Sequence, residues 1–257
     1  MMKLHGWLWR ILYVAIINYF GDDFDDDFDE SIELCVYDNI YVYKYNGVFV
    51  RGKKEEYVVR EQSMYKNMSI RPHDVVLDIG ANIGCSARYF ADKHAMEIHC
   101  FEPVPENYSM LELNTVDLPF VTLYKAAIVD DHNPVVDLYL SDSMSTTHSI
   151  LPTRGRKIIS VPCINFSTIV TKIKPTVIKI DIEGGEFELL RGLAELPKCV
   201  RVVGIEVHYT KPDAKLKAKK LRDDMAKNYN VIQPIKYLNT NKGWNTCVAI
   251  WERKDGK

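Results

Sequence analysis

The chain has 257 residues, a net charge of −2, 47% hydrophobic residues and 26% charged residues. This length allows one sizeable globular domain with a smaller appendage, and the charge gives no general reason to expect nucleic acid as the partner. The six cysteines are scattered without a C-x-x-C motif, which disfavours a zinc site and predicts reduced thiols in a cytoplasmic protein.

Within residues 1–20, the stretch 7–20 is apolar except for Arg10 and Asn18. The apolar stretch is shorter than the roughly 20 residues of a membrane span, and no small-residue cleavage site follows it. We predict a helix that packs on the domain, and contact with a membrane surface through residues 1–20 is the alternative. The acidic run at 22–30 is predicted to be a solvated linker.

Residues 32–51 have the composition of β-strands, with an Asn-Gly pair at 46–47 between two apolar runs. Asn-Gly in this position favours a tight hairpin, because both turn residues need positive φ. We therefore divide the chain into an N-terminal region at 1–70, made of a helix, an acidic linker and a β-hairpin cap, and a main domain at 71–257.

The main domain alternates between apolar runs and helical patterns. Strands are predicted at 75–79, 97–101, 120–125, 176–181, 201–207, 230–235 and 245–252, and helices at 84–94, 105–114, 186–195 and 213–228. This alternation predicts an α/β fold with a largely parallel sheet covered on both faces. The segment 130–163 is the least regular, and its polar part at 141–149 suits either a substrate loop or a plain surface excursion.

A glycine turn follows the first of these strands. Asp78 lies near the end of the strand, and Gly80 and Gly84 open the turn before a helix begins. Glycines let backbone approach a ligand closely, and ligands of open parallel sheets bind at the carboxyl ends of the strands. The spacing is G-x-x-x-G rather than the G-x-G-x-x-G that binds a pyrophosphate. An acid beside the turn would repel phosphate and pair with an ammonium group, which favours S-adenosylmethionine.

A second acid supports this interpretation. Glu102 ends the next apolar run, about 20 residues downstream of the turn, at the spacing where a carboxylate accepts hydrogen bonds from ribose hydroxyls. A plain strand–turn–helix with a surface glutamate is the alternative.

Three stretches carry a resemblance to a known family: VLDIGANIG at 76–84, FEPVPEN at 101–107 and IKIDIEGGE at 178–186. Together and in this order they resemble the FkbM-type methyltransferases. The resemblance implies a class I methyltransferase fold, Rossmann-like with a seven-stranded sheet whose last strand is antiparallel. It also implies an S-adenosylmethionine-dependent enzyme that methylates hydroxyls of sugars and natural products.

The motifs assign parts of the cofactor to particular residues. Glu102 is predicted to hold the ribose, and Asp181 to face the methyl donor. Ser86 is predicted either to cap the helix or to reach the cofactor carboxylate. The full predicted cofactor set is Asp78, Gly80, Ala81, Asn82, Gly84, Ser86, Glu102, Pro103, Asn107, Ala126, Ala127 and Asp181.

Ionisable residues at two further strand ends are candidates for catalysis. Strand alternation puts Lys179, Asp181 and Glu183 on one side, and Glu206 and His208 on one side of the next strand. We predict His208 as general base, oriented by Glu206 or Asp181, with Glu183 orienting the acceptor and Lys179 neutralising an acid. A divalent metal held by Asp181, Glu206 and His208 would do the same work by lowering the acceptor's pKa. A buried ion network that only fixes the strand ends is the structural alternative.

The function predicted is methyl transfer from S-adenosylmethionine to a hydroxyl of a sugar, glycan or related small molecule. One alternative is RNA 2′-O-methylation, in which Lys179, Asp181 and Glu206 would form part of a catalytic tetrad. The near-neutral charge and the lack of an aromatic–basic surface argue against that substrate. Another alternative is a non-catalytic cofactor-binding scaffold.

Overall fold

A computed structural model describes residues 32–37, 40–45, 48–51, 64–140, 148–152, 155–209, 213–235 and 246–255. The predicted N-terminal helix and acidic linker, and most of the loop predicted at 141–149, lie outside the described residues. The strands β1 (Ile32–Tyr37), β2 (Ile40–Tyr45) and β3 (Val48–Arg51) form an antiparallel sheet in that order. The predicted hairpin at Asn46-Gly47 is confirmed by the antiparallel pairing of β2 with β3.

The rest of the described chain alternates strands and helices, as predicted. The further strands are β4 (Val75–Ile79), β5 (Glu97–Phe101), β6 (Val121–Tyr124), β7 (Ala127–Val129), β8 (Val135–Leu140), β9 (Lys157–Asn165), β10 (Val177–Ile180), β11 (Val202–His208), β12 (Tyr229–Gln233) and β13 (Thr246–Arg253). The helices are α1 (Cys85–Asp92), α2 (Pro105–Asn114), α3 (Phe166–Ile173), α4 (Leu190–Ala194), which follows a 3₁₀ turn at Glu186–Leu189, and α5 (Ala214–Asn228).

The main sheet has seven strands in the order β12-β13-β11-β10-β4-β5-β6. All neighbouring pairs are parallel except those of β13, which runs antiparallel to both β11 and β12. This order confirms the predicted class I methyltransferase plan. The chain moves outward in one direction from β4 and in the other from β10, so the β4–β10 junction is the switch point where ligands of such sheets bind.

Pairing at this junction brings three predicted residues to one edge. Ile79, the last residue of β4, pairs with Phe101 of β5 on one side and with Ile180 of β10 on the other. Gly80, Glu102 and Asp181 follow these three partners directly in sequence. They therefore lie at the same carboxyl edge of the sheet.

Apolar side chains cover both faces of the main sheet. Phe90 of α1 and Leu111 of α2 pack on one face, and Phe166 of α3 and Leu221 of α5 pack on the other. The central strands are buried on both faces, which explains their uninterrupted apolar runs. Burial of each large apolar side chain contributes about 1.5–3 kcal/mol, so this sheet is a firm support for the residues at its edge.

The described residues of the segment 130–163 are more regular than predicted. β7, β9 and β8 form a second sheet, in which β9 pairs parallel with β7 and antiparallel with β8. Pro162 lies within β9, and few residues of β8 and β9 are buried, so their sequences lack the apolar runs of the main strands. Helix α3 was also missed, although Asn165 caps it by accepting a hydrogen bond from the amide of Thr168.

Within the part of the chain that the structure describes, every helix is too short or too polar to cross a bilayer.

Candidate active site

The turn after β4 is held in a conformation that requires glycine at its first position. Gly80 has φ of 80°, and its amide donates to the carbonyl of Phe101 over 3.0 Å. A Cβ at this position would lie 1.8 Å from the carbonyl oxygen of Asp181. The turn therefore passes directly over the end of β10, which a side chain would prevent.

Gly84 and Ala81 have packing roles rather than the predicted place in the ligand cradle. A Cβ on Gly84 would lie 2.9 Å from Cδ1 of Leu111, so this glycine lets α1 approach α2. Ala81 is fully buried in the core on the α1 side of the sheet. Neither residue lines the cavity described below.

Asp78 is also placed differently from the prediction. Its side chain is fully buried, accepting a hydrogen bond from Ser86 over 2.6 Å and lying 3.2 Å from the ammonium of Lys179. Lys179 donates in turn to the carbonyl of Gly80 over 2.6 Å. Lys179 does neutralise an acid, as predicted, and it ties β10 to the glycine turn. Asp78 and Ser86 therefore shape the turn from beneath, because a buried carboxylate needs such partners.

A cavity of about 650 Å³ opens at the carboxyl edge of the sheet. This figure includes space that is open to solvent. The predicted residues that line it are Gly80, Asn82, Glu102, Pro103, Asn107, Ala126, Ala127, Asp181 and Glu183.

Glu102 is the best-anchored acid of this cavity. Its two carboxylate oxygens accept hydrogen bonds from the backbone amides of Asn82, over 2.9 Å, and Val104, over 2.8 Å. Burial raises the pKa of Glu102 to about 7, although these amides, Lys179 and Asn107 all oppose the rise. The carboxylate is thus oriented in advance, with lone pairs left for a ligand.

Beside the cavity, Asp181 and the two ionisable residues of β11 come together as predicted. One ligand atom from each of Asp181, Glu206 and His208 lies within 4.8 Å of the other two. Glu206 and His208 are buried, and Asp181 also faces the cavity. Burial and the charge of Asp181 raise the pKa of Glu206 to about 9.

The carboxylate that orients His208 is one that sequence analysis missed. Nδ1 of His208 lies 2.8 Å from Glu186, whereas Nε2 lies 3.4 Å from Glu183 and 3.9 Å from Glu206. Glu186 is itself fixed by the amides of Ile182 and Gly184. Burial disfavours charge on the ring, but Glu186 and the other carboxylates prevail and raise the pKa of His208 well above its ordinary value. Glu206 and Asp181 were predicted to orient this ring, but neither lies as close to it as Glu186.

A profile described as the methyltransferase FkbM domain matches residues 78–231, which is more than half of the chain. The chain belongs to the FkbM methyltransferase family. The FkbM family comprises S-adenosylmethionine-dependent methyltransferases. The matched range begins at Asp78 in β4 and ends within β12.

Among curated proteins, the hexuronic acid methyltransferase AglP of Haloferax volcanii is 27% identical to this FkbM-family chain over 139 residues. The match covers 52% of this chain and 56% of AglP, so the chain spans about half the length of this curated relative.

Several solved structures are similar to the chain. An FkbM methyltransferase from Methylobacillus flagellatus is 16% identical with a TM-score of 0.46, over 77% of this chain and 50% of that one. M. jannaschii TYW2, solved in complex with AdoMet, is 16% identical with a TM-score of 0.48, over 85% of this chain and 89% of that one.

The cavity of this FkbM-family protein also has a wall that sequence analysis did not identify. His148 and Ile150 line it from the segment that joins β8 to β9. Ser149, between them, donates to the carbonyl of Glu183 over 2.7 Å, and Ile150 packs against Gly185. Burial and the charge of Arg156 lower the pKa of His148, so a neutral imidazole faces the cavity. The polar composition of 141–149 was the available signal for this wall.

The remaining lining residues are apolar and come from several elements. They are Ile79, Phe101, Val104, Ile128, Leu138 and Ile182. Apolar residues of this kind have no sequence signal that separates a cavity wall from a core position.

Proposed function

We propose that this protein transfers a methyl group from S-adenosylmethionine to a hydroxyl of a sugar, glycan or related small molecule. The observation that carries the proposal is the cavity at the β4–β10 switch point, where Glu102 is anchored by two backbone amides and Asp181 faces it from the neighbouring strand. The carboxylate of Glu102 suits the ribose hydroxyls, and that of Asp181 suits the positive charge of a sulfonium.

The cofactor roles follow from this placement. Glu102 accepts from the ribose hydroxyls, with Asn82 and Asn107 beside it, and Pro103 shapes the adenine slot. Ala126 and Ala127, at the start of β7, leave room there because their side chains are small. Asp78, Gly84 and Ser86 act indirectly, because they hold the turn and are not part of the cavity wall.

When bound, S-adenosylmethionine supplies an activated methyl group, so the chain's main task is to align the acceptor oxygen with it. The transfer forms a bond between that oxygen and the methyl carbon, leaves the electron pair of the broken bond on sulfur, and releases the hydroxyl proton. Besides Glu102, the described residues of the cavity wall include the carboxylates of Asp181 and Glu183, and we assign contact with the acceptor to these two. The carboxylates around His208 raise the pKa of its ring, and this disfavours the unprotonated form that a general base needs.

A carbohydrate acceptor is supported by two observations. AglP, the curated relative, is by name a hexuronic acid methyltransferase. The cavity wall also combines carboxylates with the neutral His148, and such groups hydrogen-bond to hydroxyls. The RNA alternative has less support, because Lys179 of the supposed tetrad is fully buried and bound to Gly80.

Calorimetry with S-adenosylmethionine tests cofactor binding, and transfer of a labelled methyl group to a panel of hexuronic acids, other glycans and RNA tests the acceptor. Glu102→Gln is expected to weaken binding at least tenfold, as the loss of a charge-assisted contact implies. Glu97→Gln, at the opposite end of the same strand and exposed, is the matched control. No cofactor binding by the unaltered chain would refute the proposal, and binding without transfer to any acceptor would favour the non-catalytic scaffold. Transfer to RNA alone would favour the RNA 2′-O-methylation alternative.

His208→Ala tests the general-base hypothesis directly. If His208 takes the proton, turnover falls far more than cofactor affinity does. Unchanged turnover would exclude that role.

A further inference from the structure

We propose that Asp181, Glu206 and Nε2 of His208 bind one divalent metal ion at the edge of the cavity. That this ion sits beside the acceptor oxygen rests on the proposed function, whereas the ion site itself does not. The three side chains come from the ends of two adjacent parallel strands, and their ligand atoms already lie within 4.8 Å of one another.

The orientation of His208 is the first argument for an ion. Nδ1 is engaged by Glu186 over 2.8 Å, which directs Nε2 toward Glu206 and Glu183. Metal-binding histidines characteristically use their second ring nitrogen in this way, to a carboxylate that fixes the tautomer and the ring plane. Glu186 is itself fully buried and held by two backbone amides, so this support is rigid.

The second argument is an unmet polar atom in the cluster. Oδ1 of Asp181 is buried with no N–H or O–H donor paired to it among the described residues, and the carboxyl group beside this side chain is that of another acid, Glu206. Buried polar atoms are almost always paired, and an exception calls for a ligand, an ion or water. The other oxygen, Oδ2, lies 4.0 Å from the ammonium of Lys179, which is already bound to Asp78 and Gly80.

Charge is the third argument. Four carboxylates surround a single imidazole here, those of Asp181, Glu183, Glu186 and Glu206. Carboxylates placed together away from water repel one another strongly unless they share a proton or a cation lies among them. A divalent cation would compensate this excess, and carboxylate with imidazole ligands suits Mn²⁺ and other first-row divalent ions.

Position connects the site to the proposed reaction. Asp181 contributes both to the ligand cluster and to the cavity wall. An ion held there would have positions open toward the cavity, where it can bind an acceptor hydroxyl and lower its pKa. Because the ion would lower the acceptor's pKa, the hydroxyl proton could be released to solvent without His208 as base.

The test uses the full chain after removal of metals with a chelator, with Mn²⁺ as the probe. Electron paramagnetic resonance is expected to show one bound Mn²⁺ per chain, without any cofactor. Asp181→Asn should abolish binding, and Glu186→Gln should weaken it by about 10–100-fold, because that change disturbs only the support of His208. Glu97→Gln, a matched change at the far end of the sheet, should leave binding unchanged.

Two outcomes would overturn the proposal: no stoichiometric Mn²⁺ in the unaltered chain, or equal affinity in Asp181→Asn. A Mn²⁺-induced rise in melting temperature, present in the unaltered chain and lost in Glu186→Gln, checks the result in variants that are shown to be folded. If Mn²⁺ binds but no acceptor is methylated, the proposed function fails while the ion site stands. If methyl transfer proceeds at full rate after chelation, the ion has no part in it and the coupling to the acceptor is wrong.

Discussion

Cofactor affinity is expected to depend on pH through Glu102. Its pKa is raised from 4.5 to about 7, mainly by burial. Only the ionised carboxylate can accept from both ribose hydroxyls while it also accepts from the amides of Asn82 and Val104. At about pH 6 roughly one chain in eleven carries the ionised form, and at about pH 8 roughly ten in eleven do. Affinity for the nucleoside should therefore rise about tenfold between these values, or about 1.4 kcal/mol.

Methylthioadenosine is a suitable ligand for this measurement, since it keeps the adenine and ribose but lacks the amino acid end that ionises in the same range. Calorimetric dissociation constants would be collected from about pH 5.5 to about pH 8.5. Glu102→Gln should bind weakly and without the pH dependence, and Glu97→Gln should retain it. A flat profile in the unaltered chain would refute the raised pKa or the contact with ribose.

The raised pKa of Glu102 also affects the stability of the unliganded chain. Rising pH should strengthen nucleoside binding but lower the free energy of unfolding. A folded pKa above the ordinary value means that the fold prefers the protonated carboxyl, so stability is lost as pH rises from 4.5 to about 7. The loss is of the order of 3 kcal/mol. It should be absent in Glu102→Gln when unfolding by urea is compared across this range.

Three substitutions test other parts of the site and its support. Gly185→Ala would bring a Cβ within 3.2 Å of Ile150, so we expect a higher KM for the acceptor and little change in cofactor affinity; an unchanged KM would show that this wall does not contact the acceptor. Arg201→Ala removes the partner of the buried Asp74, 2.5 Å away, and should lower the free energy of unfolding by about 3–5 kcal/mol, with a loss below about 1 kcal/mol contradicting this view. Gly80→Ala should abolish nucleoside binding or folding, as calorimetry and circular dichroism would show, since its Cβ meets a backbone oxygen at 1.8 Å; normal behaviour in both assays would count against the turn geometry.

Much of the main sheet could be predicted from sequence because its strands are buried on both faces. Short continuous apolar runs such as Val75–Ile79 indicate strands of this kind, and the residue that follows such a run must lie at the sheet edge. Local order was enough to put Gly80, Glu102 and Asp181 at one edge. The second sheet was missed because β8 and β9 are mostly exposed and carry no comparable pattern.

Tertiary structure alone decided the partners of the charged groups. Asp78 pairs with Lys179, a residue from a strand far along the chain, and this pairing takes it out of the predicted ligand cradle. Likewise Glu186 binds His208, although the sequence pattern favoured acids nearer in the alternation. Such choices depend on which strands become neighbours and on how much water is excluded between them, because a buried charge takes whichever partner the packing brings within reach. The amino-acid pattern determines where the strands end, and only the packed sheet determines what their ends face.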